Sequence, residues 1–196
     1  RQRRGMSLGG QAGEPLRRLV VQPDDGVEAV LALLAGARES LRVKQFTLTQ
    51  DDILDALIHA HKRGVAVRVM LNQHHASGHR VNDETHDKLH EHGVKVAWAN
   101  PEFDITHEKS VQVDDDVALI ATFNMAKKYF GHTRDYGIVT RDPVQLAEIR
   151  RCFDADWKRE RFRPSSASGL AWSADNSRPT MAGLIDGARH RLDIQH

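Results

Sequence analysis

An alternation of short apolar strands and helices in the first half of the chain most constrains its fold. Runs with strand-like alternation, such as Val65 to Val69, are separated by stretches with helical spacing, such as Ile53 to Ile58. The predicted elements are a strand at 16–21, a helix at 27–39, a strand at 41–48, a helix capped by Asp51 or Asp52 and ended by Gly64, a strand at 65–71, a helix at 84–92 and a strand at 94–98. Such alternation predicts a parallel-type sheet with helices packed against it.

The pattern changes in the second half of the chain. Residues 109–113 and 117–120 are predicted to be two short strands, joined by a hairpin turn at Asp114-Asp115-Asp116. A further strand is expected at 136–140, and Asp142-Pro143 begins a final helix. Its apolar positions are Val144, Leu146, Ile149, Phe153 and Trp157. Phe153 and Trp157 are interpreted as core residues rather than as ligand-stacking groups. The predicted fold class is α/β, with a mixed sheet that is parallel in its first half and antiparallel near the hairpin.

Chemically active side chains concentrate where this hairpin begins. His107 and Lys109 are two residues apart in an extended segment, so they should point to the same face. Thr122 and Asn124 follow the second hairpin strand and add neutral hydrogen-bonding groups. An imidazole beside a fixed positive charge and neutral donors suits a phosphodiester, whereas the plain alternative is a solvated strand end.

Charge and cysteine content narrow the classes of function. The formal net charge is +1, so the chain lacks the global basic field of non-specific nucleic-acid binders. No apolar run reaches the length of a membrane span, and Cys152, the only cysteine, cannot form an intrachain disulfide. We expect a soluble protein, and the sequence leaves both a secreted and a membrane-surface location open.

The chain divides into four parts by composition. Residues 1–15 are interpreted as a flexible lead-in, 16–162 as the main domain, 163–171 as a linker and 172–196 as the start of a second, incomplete repeat. Residues 172–196 resemble 21–45 at an offset of 151, and the helix-end segment Gly36-Ala37-Arg38 reads again as Gly187-Ala188-Arg189. We interpret them as the opening strand, helix and strand of a second copy, the alternative being chance similarity between two helices.

The pattern His107-x-Lys109-x4-Asp114-x6-Ala121-Thr122-x-Asn124 closely resembles the signature of the phospholipase D superfamily, His-x-Lys-x4-Asp-x6-Gly-Ser/Thr-x-Asn. One departure is Ala121 in place of glycine, which should be tolerated unless that residue needs a positive φ. A second His-x-Lys pair, His86 and Lys88, lies in a helical pattern, where residues two apart do not share a face.

The resemblance implies a phospholipase D/nuclease-like mixed sheet flanked by helices, and chemistry without a metal or other cofactor. In that family two motifs meet across a pseudo-twofold axis; one histidine attacks phosphorus and the other protonates the leaving alcohol. His107 would be nucleophile or general acid, and Lys109 and Asn124 would hold the phosphoryl oxygens. Thr122 would donate a hydrogen bond to the phosphate. Asp114 belongs to the catalytic set as an orienting group, and Asp135 would support a histidine ring nitrogen.

The resemblance also implies that the site needs a partner. The second motif would come from a longer chain of which this is a fragment or from a homodimer, and the started repeat favours the fragment. The expected substrate is a phospholipid, cleaved by a phosphodiesterase or phosphatidyltransferase. Two alternatives are an endonuclease of the same superfamily acting on DNA or RNA, and a non-catalytic half that binds phosphate.

The remaining histidines carry weaker predictions. His86, His90 and His92 are interpreted as a solvated helix face rather than as a metal site, because no acid or cysteine completes a ligand set. A loop at 73–84 brings further histidines, His74, His75 and His79, to a strand end that borders such a site, where they contact substrate or form plain surface. Lys127, Lys128 and Tyr129 follow Asn124 and meet a headgroup or nucleic-acid backbone, or are solvated.

Overall fold

The computed structural model describes residues 15–75 and 77–195. Except for Pro15, the predicted flexible lead-in lies outside the described residues. The strands are β1 Arg17–Gln22, β2 Ser40–Gln45, β3 Ala66–Leu71, β4 Lys95–Trp98, β5 Ser110–Val113, β6 Val117–Ala121 and β7 Asp135–Thr140. The helices are α1 Glu28–Ala35, α2 Asp51–Lys62, α3 Asp83–Glu91, α4 Pro143–Lys158 and α5 Ser177–Asp186, with a 3₁₀ helix at Lys127–Phe130.

The strands described form one seven-stranded sheet in the order β1-β7-β6-β5-β2-β3-β4. Strands β2, β3 and β4 are parallel, and the other neighbours are antiparallel, so the predicted mixed sheet is confirmed. Strand β1 lies at the far edge beside β7, because the β5–β6 hairpin and β7 insert between β1 and β2. The hairpin thereby brings the motif to the middle of the sheet.

Helices cover the two faces of the sheet unequally. Val43, Val69 and Val111 belong to the main core, which includes Leu34 of α1 and Leu57 of α2. The opposite face is covered by α4, which packs on β2 and β5 and forms a smaller apolar cluster from Ala118, Leu146 and Ile149. Burial of these β-branched and leucine side chains from both faces supplies the main stabilising term.

Two local details differ from the prediction. The N-cap of α2 is Gln50, with no side-chain capping bond; Asp51 and Asp52 lie in the first turn instead, where negative charge still favours the helix N-terminus. In the β5–β6 hairpin, Asp114 and Asp115 adopt φ of 50° and 59°, as the turns favoured in tight hairpins require.

The segment predicted to be a linker packs against α4. Glu148 is 2% exposed, and its carboxylate accepts hydrogen bonds from Ser168 Oγ at 2.6 Å, the Ser165 amide at 2.8 Å and Trp172 Nε1 at 2.9 Å. Burial acts to raise the pKa of Glu148, but these hydrogen bonds outweigh it and hold the pKa below its usual value. The serines of this segment therefore supply hydrogen bonds to the buried carboxylate of Glu148.

Helix α5 falls where the internal repeat predicts a helix. It ends at Asp186, which is 151 residues after the end of α1 at Ala35. None of its residues is buried, and residues 170–176 and 191–195 contain no strand. The two predicted flanking strands are thus not formed in the described residues, and the division of the chain at 163–172 stays a prediction. Among the described residues, no helix is long and apolar enough to cross a membrane.

Candidate active site

His107 and Lys109 lie in the irregular segment that leads into β5, at one end of the sheet. The Lys109 Nζ atom is 3.0 Å from His107 Nδ1 and donates to the His107 carbonyl at 2.7 Å. The lysine is buried, whereas the histidine is exposed. The predicted same-face arrangement is confirmed by this contact, although the pair precedes the strand rather than lying on it.

Two buried asparagines hold this segment in place. Asn72 Oδ1 accepts from the Thr106 amide at 2.8 Å, next to His107. Asn82 donates to the Asn72 carbonyl at 2.9 Å and to the Phe46 carbonyl at 2.8 Å. These bonds join the loops after β2 and β3 to the motif. Sequence reasoning missed both asparagines. A lone Asn carries no pattern that separates a buried residue, hydrogen-bonded to several backbone segments, from an ordinary loop residue.

Phe46 forms an aromatic surface beneath the pair. The edge of its ring meets the His107 ring at 4.6 Å between centroids and 63° between planes. Lys109 Nζ lies 5.4 Å from the centroid of the same ring. His75 also stacks on Phe46, with 4.4 Å between ring centroids and 16° between planes. His75 of the predicted loop therefore lies near the motif rather than on a separate surface. Only the packing on Phe46 shows this position.

The environment shifts the pKa values of both motif residues. Burial lowers the pKa of Lys109 to about 8, and the carboxylate of Asp135 opposes that shift. The pKa of His107 is also lowered, chiefly by partial desolvation of the ring and further by the positive charges of Lys109 and His75. Near neutral pH the site therefore holds a neutral imidazole beside an ammonium that is poorly compensated by the protein.

The hydrogen bond between the two residues links their protonation states. When the Lys109 ammonium donates to His107 Nδ1, a neutral imidazole carries its hydrogen on Nε2. When the ammonium turns to another acceptor, Nδ1 can carry the hydrogen and the Nε2 lone pair becomes available for attack. A phosphate oxygen is such an acceptor, so binding of an anion would prepare His107 as a nucleophile.

The side-chain oxygen of Asn124 lacks a hydrogen-bond donor among the described residues. Its side chain is buried, and in the part of the chain that the structure describes its Oδ1 has no hydrogen-bond partner. Leaving a buried amide unpaired costs free energy unless a ligand or water completes it. Phosphate binding would use the Nδ2–H donor of this amide rather than Oδ1, and the phosphate-binding role of Asn124 stays a prediction.

The side chains of Thr122 and Asp135 are hydrogen-bonded to each other. Thr122 Oγ1 donates to Asp135 Oδ1 at 2.8 Å and accepts from the Tyr136 amide at 3.0 Å, while Thr133 donates to the other oxygen of Asp135 at 2.5 Å. A Thr122 hydroxyl used this way does not also donate to phosphate. Contrary to expectation, the hydrogen bonds of Asp135 among the described residues go to threonines, not to a histidine ring nitrogen. Its influence on the site is electrostatic, through Lys109.

Ala121 is accommodated without a positive φ. It lies in β6 opposite Gly137 of β7. A Cβ at Gly137 would approach Leu119 Cδ1 to 2.8 Å, so the close approach occurs on β7 instead. Alanine in place of the family's glycine is therefore compatible with the local backbone.

Asp114 lies at the opposite end of β5 from the His107–Lys109 pair. Its carboxylate accepts from the backbone amides of Arg38, Glu39 and Ser40 at 2.7–2.8 Å. Burial opposes ionisation, but these three bonds hold the pKa of Asp114 below its usual value. The carboxylate thus fastens the α1–β2 connection to the hairpin, and the place of Asp114 in the catalytic set stays a prediction.

A buried ion cluster lies on the α4 face behind the motif, and sequence reasoning missed it. Lys44 Nζ is 2.8 Å from Glu108 Oε2 and 2.7 Å from Asp156 Oδ2, with Cys152 Sγ at 3.7 Å. Ser110 Oγ donates to the other oxygen of Glu108 at 2.6 Å. Burial acts to lower the pKa of Lys44, but the nearby carboxylates outweigh it and raise that pKa above its usual value. The cluster anchors Glu108, the residue between His107 and Lys109.

The second His-x-Lys pair is structural, as its helical pattern predicted. The His86 ring stacks on Trp98 at 4.3 Å, and Lys88 pairs with Asp55 at 3.0 Å. Within residues 15–75 and 77–195, no group of three or more His, Cys, Asp or Glu side chains is arranged to hold a metal ion.

Comparison with known proteins places this site in a family context. The family model described as cardiolipin synthase, PLD-like domain, matches residues 30–157, which include the motif and every strand except β1. A mitochondrial cardiolipin hydrolase from Chlamydomonas reinhardtii is 27% identical over 129 residues, covering 65% of this chain and 55% of that protein. A polyphosphate kinase from Salmonella typhimurium is 29% identical over 181 residues, covering 86% of this chain and 26% of the kinase.

A solved structure shares the fold. The phospholipase D family member Nuc from Salmonella typhimurium superposes with a TM-score of 0.65 at 22% identity, covering 76% of this chain and 98% of Nuc. At that identity the likeness shows the fold alone. The chain spans only about half of the cardiolipin hydrolase and about a quarter of the kinase.

Proposed function

This chain belongs to the phospholipase D superfamily, and we propose that it is a phosphodiesterase that cleaves phospholipids through a covalent phosphohistidine. The observation that carries the proposal is the contact of His107 with a buried Lys109 whose charge the protein leaves poorly compensated. The lipid substrate is supported by the cardiolipin named in the matching family model and in the Chlamydomonas relative.

The proposed reaction has two displacements at phosphorus. His107 Nε2 attacks the phosphorus, a nitrogen–phosphorus bond forms, and the bond to the leaving alcohol breaks. The alcohol oxygen takes a proton from a general acid in a second half-site. Water or an acceptor alcohol then attacks the phosphohistidine, loses its proton to that same group and releases His107. Phosphatidyl transfer and hydrolysis differ only in this acceptor.

Lys109 and Asn124 would stabilise the charge on the phosphoryl oxygens. The ammonium donates to the His107 carbonyl, which holds it beside the imidazole, and the Nδ2–H group of Asn124 would donate to a phosphoryl oxygen. Groups that are already desolvated and oriented need little rearrangement when charge develops in the transition state. A bound phosphoryl oxygen would also draw Lys109 from Nδ1, which leaves Nε2 of a neutral His107 free to attack.

The second half-site is proposed to come from another copy of the motif. The residues from 172 onward resemble those from 21 onward, and α5 ends 151 residues after α1, which supports a tandem arrangement in a longer chain. A homodimer in which each copy supplies one His107 is the other source. Sedimentation of the active species separates the two, since only the second source requires a dimer of this motif.

An endonuclease is the second candidate. Lys127 and Lys128 are exposed on the 3₁₀ helix that follows Asn124, where a nucleic-acid backbone could be contacted. Parallel assays with cardiolipin vesicles and with single-stranded DNA decide between the two substrates. The lipid proposal expects release of phosphatidic acid and little DNA cleavage, and the reverse result would replace it with the nuclease.

A trapping experiment tests the chemistry itself. Wild-type protein should form an acid-labile, base-stable phosphoenzyme with a radiolabelled substrate, and His107→Ala should form none and lose turnover at least about a hundredfold. His74→Ala, which alters an exposed neighbour in the nearby loop, is the matched control. Turnover retained by His107→Ala would sink the assignment. An inert wild type, even with a second half-site supplied, would favour a non-catalytic phosphate-binding half.

A further inference from the structure

Two imidazoles pack on one phenyl ring at this end of the sheet. Phe46 contacts His107 through its edge at 4.6 Å and is stacked by His75 at 4.4 Å. His107 is part of the motif, whereas His75 comes from the loop between β3 and α3. The shared ring therefore brings a second titratable group next to the proposed nucleophile.

The orientation of His75 is held by two hydrogen bonds. Its Nε2 is 3.1 Å from Thr47 Oγ1, and its backbone amide donates to the His79 carbonyl at 3.0 Å. When the Thr47 hydroxyl donates to Nε2, a neutral ring carries its hydrogen on Nδ1. When the ring is protonated, both nitrogens carry hydrogen. In both of these states Nδ1 is a donor, and it has no hydrogen-bond partner in the part of the chain that the structure describes. In the third state, a neutral ring that donates Nε2–H to Thr47 Oγ1, Nδ1 is an acceptor.

His75 is electrostatically coupled to the site. Its positive charge is among the causes that lower the pKa of His107, after burial and Lys109. Like charges that repel in the empty site become favourable when an anion binds near both of them. The neighbouring His74 is exposed and takes no part in this cluster, so the two adjacent histidines differ in kind.

We propose that His75 is a further catalytic residue, whose Nδ1–H donates to a non-bridging oxygen of the phosphodiester that His107 attacks. The inference rests on the proposed function. His75 would join Lys109 and Asn124 in holding phosphate, and Thr47 would be the positioning residue that keeps the donor on Nδ1. The site would then hold two imidazoles from a single chain before a second half-site contributes its own.

Binding of inorganic phosphate tests the contact without any need for turnover. Imidazole nitrogen and carbon resonances are followed by NMR as phosphate is added to the full chain. The expected result is a shift of both His75 and His107, with a raised pKa for each and no change at His74. A titration in which phosphate moves His107 but leaves His75 at its phosphate-free position would overturn the proposal.

Kinetics test the contribution to turnover. His75→Phe keeps a ring on Phe46 but removes the donor, and kcat/KM should fall about tenfold to a hundredfold, the range for a hydrogen bond to a charged group. His74→Phe is the control and should match wild type. Thr47→Val should lower kcat/KM less than His75→Phe does. If circular dichroism shows that His75→Phe misfolds, His75→Leu, which also lacks a donor, replaces it.

The outcomes separate the two proposals. An active wild type, an inactive His107→Ala and an unimpaired His75→Phe would reject the role of His75 and keep the phosphodiesterase. A wild type that cleaves no phosphodiester would reject the proposed function, and the phosphate titration would still decide whether His75 contacts the anion.

Discussion

Two buried lysines lie on opposite faces of the same end of the sheet, and the protein treats them in opposite ways. Lys44 has two carboxylates within 2.8 Å, and its pKa is raised. Lys109 has no carboxylate in an ion pair with it in the described residues; burial lowers its pKa to about 8. One ammonium is neutralised inside the fold, whereas the other keeps an attraction for an anion that the protein itself does not satisfy.

The difference shows how a fold separates structural charge from functional charge. A buried ion pair contributes little net stability, but removing one partner leaves the other uncompensated. A buried charge without a partner costs stability and is kept where binding or catalysis uses it. Glu108, which lies between His107 and Lys109, connects the two environments because it points to the Lys44 face. Lys44 therefore anchors the motif through Glu108, whereas Lys109 contacts His107 directly.

The largest expected effect comes from removing the neutralised charge. Lys44→Met leaves Glu108 and Asp156 facing each other in a buried setting, so the free energy of unfolding should fall by about 3–5 kcal/mol. Urea denaturation followed by circular dichroism measures it. Adding Glu108→Gln and Asp156→Asn to Lys44→Met should restore much of the loss. A single variant that loses under about 1 kcal/mol would show that the cluster is not the buried unit described here.

Lys109→Met should lower turnover but not stability, whereas Lys44→Met should lower stability. Lys109→Met removes the cation that stabilises phosphoryl charge, so turnover should fall about a hundredfold to a thousandfold. The free energy of unfolding should stay the same or rise by about 1 kcal/mol, because a desolvated charge is gone. Lys95→Met, at an exposed position in β4, is the control for loss of a charge alone. Equal destabilisation by Lys109→Met and Lys44→Met would remove the contrast.

Asp114 extends the comparison to the far end of β5. Asp114→Asn replaces one acceptor oxygen by a donor and leaves a backbone amide of the α1–β2 connection unpaired. The free energy of unfolding should fall by about 1–3 kcal/mol, with kcat near wild type. The exposed Asp116, changed to Asn, is the matched control in the same turn. A loss of kcat in a fully stable Asp114→Asn protein would support the place of this residue in the catalytic set.

The smallest expected effect is a shift in pH dependence. Activity should decline at low pH as His107 gains a proton and at high pH as Lys109, with its pKa of about 8, loses one. The Asp135 carboxylate raises the pKa of Lys109, so Asp135→Asn should move the basic limb of kcat/KM to lower pH by less than about one unit and leave the acidic limb in place. Asp24→Asn, which removes an exposed partner of Arg134, should leave both limbs unchanged. A basic limb that does not move would separate Asp135 from Lys109.

Local patterns were sufficient for most of the fold. The alternation of strands and helices predicted the parallel half of the sheet, and the acidic turn predicted the hairpin, because side-chain periodicity and turn chemistry act within a few residues. The contact of Lys109 with His107 followed from their spacing of two. The position of β1 beside β7 did not follow, since pairing between distant strands depends on which surfaces are left to be covered.

The site was predictable only where its chemistry is contained in one motif. Nothing in the sequence marks Lys44 as buried, yet it is 1% exposed because α4 packs over it and brings Asp156. His75 and Phe46 carry no spacing signal, since their contact joins the ends of two different strands. The motif spacing grouped Asp114 with the catalytic residues, although the four residues of β5 separate it from Lys109.

By itself, the sequence determined the family, the mixed sheet and the His107–Lys109 pair, all of which are local or follow from periodicity. The tertiary structure alone decided which polar groups have partners: Lys44 and Asp114 are satisfied by groups far along the chain, whereas in the described residues Lys109 has no ion pair and Asn124 Oδ1 has no hydrogen-bond partner. The physical reason is that burial and charge compensation depend on everything packed within a few ångströms of an atom, and those neighbours come from elements remote in sequence.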